Sequence, residues 1–285
     1  MTPPSILLFG NCQAEYLALI GGCLPSLRGV VTFKVIPIQL VTAEDWTGRF
    51  DHSFTADVAV LWDQVETGEP KEHRRQMHAR VRPDWQVVKF PPFTMLALWP
   101  FAGNDPRLSL DCPYRYPWSD SVAAMVSREL PLSDDAAYDR YMRLSMERMP
   151  DLDRRLRMDA GRWHASDQIA DIKAADWVLE NFRSTQVFYT AGHLAPPPYR
   201  WMMKQLLQRT GILSPQQIWQ AGLEVDLLLR HHRGQDVEVA PVHPAVAAHF
   251  GLTWYDPDTR YRWRSHEWNF REYILKYIRW APFLD

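Results

Sequence analysis

The feature that most narrows the fold is an alternation in the first ninety residues. Four short apolar runs, at 6–9 (ILLF), 32–38 (TFKVIPI), 58–62 (VAVLW) and 85–90 (WQVVKF), are separated by helix-period or turn-rich segments. Most of these runs are continuous rather than alternating, which suits strands buried on both faces. Helical candidates at 13–24 and 70–81 lie between the first pair of runs and the last pair. Strand, helix and strand in repetition is the signature of a parallel sheet with right-handed crossovers. The chain therefore reads as α/β with an open, mostly parallel sheet.

After residue 90 the texture changes. The stretch FPPFTMLALWPF is punctuated by Pro91, Pro92 and Pro100 and reads as loop and short helix. From 119 to 182 nearly everything is helix-like, with segments opening on Ser and Asp caps. The run QVFYT at 186–190 then reads as a fifth and last strand. It is followed by a turn carrying His193 and by a helix that starts at prolines and stops at Gly211. The chain ends in an amphipathic helix, WNFREYILKYIRW. These signs predict one compact unit over 1–285, comprising a sheet region at 1–110, a helical lobe at 111–183 inserted before the last strand, and a last strand with C-terminal helices at 184–285.

Composition removes several classes. With 32 Lys and Arg against 34 Asp and Glu the net charge is -2, so no global field attracts nucleic acid, and any anion site must be local. The three cysteines, Cys12, Cys23 and Cys112, have neither the count of a disulfide framework nor the spacing of a zinc site. Reduced thiols and a cytoplasmic setting are expected. The start MTPPSILLFGN lacks the basic segment of a signal peptide, and no apolar run has the length of a membrane span. Of the other metal-ligand candidates, His231 and His232 are adjacent, point apart on a helix and have no third ligand spaced to join them, so no metal is expected.

The sequence that carries chemistry is ILLFGNCQAEYL. In an open parallel sheet ligands bind beyond the carboxyl ends of the strands. Gly10, Asn11, Cys12 and Gln13 lie at that end of the first strand, and His193 follows the expected last one. A cysteine in the first turn of a helix feels the helix dipole and unpaired N–H groups, which favour its thiolate. Cys12 as nucleophile with His193 as general base is chemically coherent. The plainer alternative makes Cys12 a small residue filling the strand-to-helix junction. Cys23 and Cys112 lack such context and read as structural.

The sheet also has a distant resemblance to the SGNH or GDSL hydrolase type, so a flavodoxin-like or SGNH-like order is expected. That type places an Asp three residues before its histidine, where this chain has Thr190. Asp63 and Asp167 are the other carboxylates considered for orienting His193.

A closer resemblance is carried by ILLFGNCQAEYL, VVKFPPF, HASDQIADI, FYTAGHLAPPPYRWMMKQLL and PVHPAVAAHFGL with FREYILKYIRW. Together, in this order, they resemble the WcbI family of capsular polysaccharide biosynthesis proteins. The resemblance implies an acetyl-CoA-dependent O-acetyltransferase acting on a sugar hydroxyl, with coenzyme A in a cleft. Cys12 and His193 would be the chemical pair. Asn11 and Gln13 would donate to the thioester or sugar oxygen, and backbone N–H groups of the Cys12 and Gln13 turn would stabilise an oxyanion. Covalent relay through Cys12 and direct transfer to a hydroxyl deprotonated by His193 both stay open, as does homo-oligomerisation. An esterase or deacetylase using the same pair, and a non-catalytic protein of a polysaccharide assembly complex, are the alternatives.

Coenzyme A brings phosphates and a purine. The basic candidates are Lys89, Arg200 and Lys204, followed by Arg74, Arg75, His231, His232 and Arg233; Phe93, Trp99 and Trp201 are the stacking candidates. His164 and Gln168 share a helix face, but Ser166 and Asp167 between them read as a cap. His243, before a proline, reads as a structural turn.

Overall fold

The structure, a computed structural model, describes residues 2–67, 71–103, 105, 107, 120–231 and 233–280. Cys112, His232 and Pro70, the start of one expected helix, lie outside the described residues. The chain packs as two compact units, each built from several stretches. One takes the described residues of Met1–Phe93, Arg162–Val178 and Ala195–Gly234; the other takes those of Thr94–Gly161, Leu179–Leu194 and Gln235–Asp285.

The first unit holds β1 (Ser5–Gly10), α1 (Cys12–Gly22), β2 (Thr32–Pro37), α2 (His52–Thr55), β3 (Val58–Gln64), α3 (Glu72–His78) and β4 (Gln86–Phe90). All four expected strands are present. They form one parallel sheet in the order β2-β1-β3-β4, with Leu8 of β1 level with Val35 on one side and Trp62 on the other. All six residues of β1 are buried, which is why its sequence shows no alternation. On one face Leu7, Phe9, Ile36 and Leu61 pack against Trp46, Phe50, Met77 and Trp85. Truncating a side chain such as Phe9 to Ala there would cost about 3–5 kcal/mol. Helix α1 lies close to β2: a Cβ added at Gly21 would fall 2.5 Å from the Phe33 ring.

The chain leaves β1 for β2 on one side and returns to β3 on the other. The crossovers therefore diverge between β1 and β3, and a crevice opens beyond the carboxyl ends of these two strands. This places Gly10 and Gln64 at its floor.

The second unit holds α4 (Ser121–Ser127), α5 (Asp134–Glu147) and the first half of α6 (Leu152–Ile169), through Gly161. The rest of α6 and the start of α7 (Ala175–Asn181) belong to the first unit, as do α8 (Pro196–Gln208) and α9 (Pro215–His231). The expected 111–183 lobe is thus divided between the units. The second unit is completed by α10 (Pro244–Phe250), the hairpin β5 (Tyr261–Trp263) and β6 (His266–Trp268), and α11 (Phe270–Arg279). Its core gathers Val122, Tyr141, Trp263, Phe270, Ile274 and Tyr277. Helix α11 is the expected C-terminal helix, and it opens on a reciprocal cap between Asn269 and Glu272.

The expected fifth strand does not join the sheet. Residues 186–190 make one antiparallel bridge, Phe188 with Leu194. The turn that follows folds back at once, so the Tyr189 N–H donates to the His193 carbonyl at 2.9 Å and the Tyr189 carbonyl accepts from the Ala240 N–H at 2.8 Å. Tyr189 thus bonds to His193 within the turn and to Ala240 further along the chain, and not to a strand of the sheet. Among the described residues no helix is long and apolar enough to cross a membrane.

Candidate functional site

Chain geometry brings β1 straight into α1, with Asn11 as cap and Cys12 as the first helical residue. The Asn11 Oδ1 accepts the Gln13 N–H at 2.9 Å, a cap interaction worth about 1 kcal/mol. The Asn11 N–H donates to Gln64 Oε1 at 2.9 Å, tying the turn to the end of β3. Gly10 is required by this approach, because a Cβ there would sit 2.6 Å from Gln64 Oε1 and 2.9 Å from the Ala14 Cβ.

Gln13 corrects an expectation. Its side chain is 2% exposed. Its Nε2 donates to the Phe93 carbonyl at 2.6 Å, while its Oε1 accepts from the Phe93 N–H at 3.0 Å and from Gln64 Nε2 at 3.2 Å. The carboxamide is a clasp joining α1 to the segment after β4, and it is not available to a substrate oxygen. The Gln13 N–H, expected in an oxyanion hole, is held by the cap. The Asn11 amide NH2 has no partner among the described residues and remains a donor.

Cys12 is half-buried and outside any disulfide. It lies within electrostatic reach of Tyr199, whose ring meets Tyr16 at 4.5 Å between centroids. Burial, with the Cys12 thiol and the Tyr16 phenol nearby, pushes the Tyr199 hydroxyl well above its ordinary pKa, so it stays a protonated donor. Trp201 stacks on Trp177 at 5.1 Å and meets Phe93 edge-on at 6.4 Å. The aromatic candidates Phe93 and Trp201 thus pack on each other, with Trp177 stacked on Trp201, close in sequence to the Gln13 clasp and to Tyr199.

His193 belongs to the second unit. Its N–H donates to Thr190 Oγ1 at 3.1 Å, and the Thr190 hydroxyl also receives the Gly192 N–H at 3.4 Å. The threonine that stands where a hydrolase would have aspartate is therefore a backbone brace for the turn. The His193 Nδ1 is buried without a hydrogen-bond partner, and burial lowers the imidazole pKa, which keeps it neutral at pH 7. Both carboxylates considered as its orienting acid have other work. Asp63 accepts from Arg74 at 2.7 Å and pairs with His78 at 3.0 Å. Asp167 accepts the Ala174 and Ala175 N–H groups, each at 2.9 Å, at the start of α7.

The basic candidates divide. Lys204 pairs with Asp226 of α9 at 2.6 Å, and Arg200 approaches the same carboxylate at 3.6 Å. The structure brings these two together, and both are partly neutralised by one acid. Lys89 lies exposed on β4, its backbone N–H donating to Asp171 at 2.7 Å. Arg74 is buried: it donates to Asp63 and to the Gln64 carbonyl at 2.5 Å, and lies over the Phe9 ring. Arg75 pairs on the surface with Glu72. His164 and Gln168 are exposed on α6, with Ser166 and Asp167 buried behind them. Asp167 caps the helix that follows its own. His243 is the structural turn expected: its Nδ1 accepts the Ala245 N–H at 3.1 Å, its Nε2 lies 3.0 Å from Ser145 Oγ, and burial lowers its pKa to about 4.

The crevice between β1 and β3 is a cleft of about 340 Å³. Gly10 and Asn11 line it from one strand, Gln64, Val65 and Glu66 from the other, with Lys71, His73 and Arg74 across from them. Sequence reasoning missed Gln64 and Glu66. The signal was present: VAVLWDQVE loses its apolar character at Asp63-Gln64, at the carboxyl end of the strand beside the switch point.

The pattern of the family described as polysaccharide biosynthesis enzyme WcbI matches residues 5–215, most of the chain and all of the sheet. The chain belongs to the WcbI family. A solved structure of WcbI, described as a novel polysaccharide biosynthesis enzyme and as the native protein without a disulfide bond between coenzyme A and one of its cysteines, aligns with a TM-score of 0.74 at 14% identity. The alignment covers 98% of this chain and 89% of that one, which establishes a shared fold. No curated protein matches the chain. Membership makes the protein a polysaccharide biosynthesis enzyme by family, with the α/β sheet and helical C-terminus expected from the sequence.

Proposed function

We propose that the protein transfers an acetyl group from acetyl-CoA to a sugar hydroxyl during synthesis of a surface polysaccharide such as a capsule, with Cys12 at the reacting end. The observation that carries this reading is the placement of Cys12. It is the first residue of α1, directly beyond a central strand of the parallel sheet, in a turn held by Asn11, Gln64 and the Gln13 clasp. The mention of coenzyme A and a cysteine for the solved WcbI structure supports a thiol at the cofactor's reactive end.

In the covalent route the Cys12 sulfur attacks the thioester carbon. The carbon–sulfur bond to coenzyme A breaks, and the thiol proton passes to the departing sulfur. The sugar oxygen then attacks the acetylated Cys12 while its proton goes to a neutral imidazole, and the Cys12 sulfur leaves and is reprotonated. His193 is the base we assign from the family resemblance, and burial keeps its imidazole neutral at pH 7. The Asn11 amide and the protonated Tyr199 hydroxyl are the donors suited to charge developing on the acyl oxygen or on the thiolate.

The test is calorimetric titration with coenzyme A and acetyl-CoA, followed by mass spectrometry of the protein after acetyl-CoA alone. Micromolar binding with one acetyl group on the Cys12 peptide, absent in Cys12→Ala, is expected. No heat at millimolar ligand would refute the acyl-transfer reading.

A further inference from the structure

We infer that the cleft between β1 and β3 is the acceptor subsite, and that it takes a neutral sugar ring. This deepens the acyl-transfer reading and rests on it. The position is set by topology: the cleft lies at the divergence of the crossovers and begins at Asn11, one residue from Cys12.

Its chemistry separates a sugar from the phosphates and purine of coenzyme A. Each cation facing it already has an acid, Lys71 with Glu66 at 3.0 Å and Arg74 with Asp63 at 2.7 Å, so no positive charge is left over for a phosphate. The Glu66 carboxylate repels one. Among the described residues no Phe, Tyr or Trp lines the cleft to stack on adenine. What remains is a set of single donors and acceptors. Glu66 Oε2 and Arg74 Nε are a buried ion pair 3.7 Å apart. The His73 Nδ1 accepts from Trp46 at 3.4 Å, leaving Nε2–H as a donor, and the Asn11 amide adds two more. Ile38, Val65 and Pro92 supply apolar surface for ring C–H groups. A volume of about 340 Å³ is at the small end of ligand pockets and accommodates one sugar ring rather than a whole coenzyme. The His73 and Asn11 N–H donors are what such a ring's hydroxyl oxygens would accept from.

The experiment is saturation-transfer NMR on the full chain with methyl glucoside, methyl galactoside and methyl mannoside, and with methyl glucuronide as the acidic control. It is run with and without coenzyme A, whose affinity is measured in parallel by calorimetry. Variants are Glu66→Gln, which removes the negative charge and turns one acceptor oxygen into a donor, and Ile38→Trp, which fills the cleft and leaves its charges. The expected result is transfer from at least one neutral glycoside but not from the glucuronide, abolished by Ile38→Trp and reduced several-fold by Glu66→Gln. Coenzyme A affinity should stay within about two-fold in both variants, with thermal melts confirming folding. The inference is overturned by transfer that neither variant changes, by no transfer from any neutral glycoside, or by a tenfold loss of coenzyme A affinity in Ile38→Trp. A glycoside held in the cleft by a protein that gives no heat with coenzyme A sinks the acyl-transfer reading and keeps the sugar site.

Discussion

Substituting Gln13→Glu tests the clasp that holds the Cys12 turn, because it exchanges one atom and leaves no cavity. The new oxygen replaces an N–H donor 2.6 Å from the Phe93 carbonyl, in a side chain that is 2% exposed. An ionised carboxylate would set two acceptors against each other in a dry site, whereas a protonated one restores the donor to Phe93 and still accepts from its N–H. The folded protein therefore holds the new carboxyl protonated at pH 7, while the unfolded chain ionises near pH 4.3. Because the folded pKa of this acid is raised, the variant matches the original protein below about pH 4.3 and loses stability as pH rises. The slope is about 1.4 kcal/mol per pH unit, reaching roughly 3.7 kcal/mol at pH 7. Urea unfolding followed by tryptophan fluorescence at pH 5, 6 and 7 reads this directly. Parallel pH dependence for the two proteins would refute the reasoning, since it would mean that the carboxyl is solvated and that residue 13 clasps nothing.

Gly10→Ala pushes a methyl group against Gln64 and Ala14, and should cost about 1–3 kcal/mol in urea unfolding while slowing thiol modification or acylation of Cys12. His243, with its folded pKa lowered to about 4 against about 6.5 when unfolded, supplies stability that is present above about pH 6.5 and is lost as pH falls toward 4. His243→Asn, which keeps a side-chain cap for α10, should flatten that acid loss of about 3 kcal/mol in melts between pH 7 and 4. Thr190→Val removes the acceptor for two N–H groups of the turn that carries His193, and should cost about 1–3 kcal/mol. If His193 is the base, the same variant lowers kcat more than the coenzyme A affinity; unchanged kcat with a lowered melting temperature would leave Thr190 structural only.

Much of the sheet could be read from sequence because β1 and β3 are apolar runs covered on both faces, while the edge strands β2 and β4 keep enough apolar positions to show beside exposed Thr32, Gln86 and Lys89. The Cys12 turn was legible for a related reason: Gly-Asn-Cys-Gln sits where an apolar strand gives way to a helix, and Asn is a cap residue by chemistry. Residues 186–190 show where that logic stops. A short run such as QVFYT satisfies the strand pattern equally well in a sheet or in a turn bridged elsewhere, and only the partners of its backbone groups separate the two. Gln13 shows the same limit at one residue. Its amide beside a cysteine suggests a donor to substrate, yet its partner, Phe93, lies eighty positions along the chain.

The sequence by itself determined the local elements, the strand-to-helix turn at Cys12 and the family, because caps, glycine and apolar periodicity act over a few residues. Tertiary structure alone decided which polar groups are engaged and which are left over. It gave Arg74 and Lys71 acidic partners, neutralised Arg200 and Lys204 at one aspartate, and set Glu66 beside Asn11 across the switch point. The physical reason is that a charge or amide has the same chemistry wherever it stands in the chain. Its availability depends on distance and burial, which exist only after distant segments have packed.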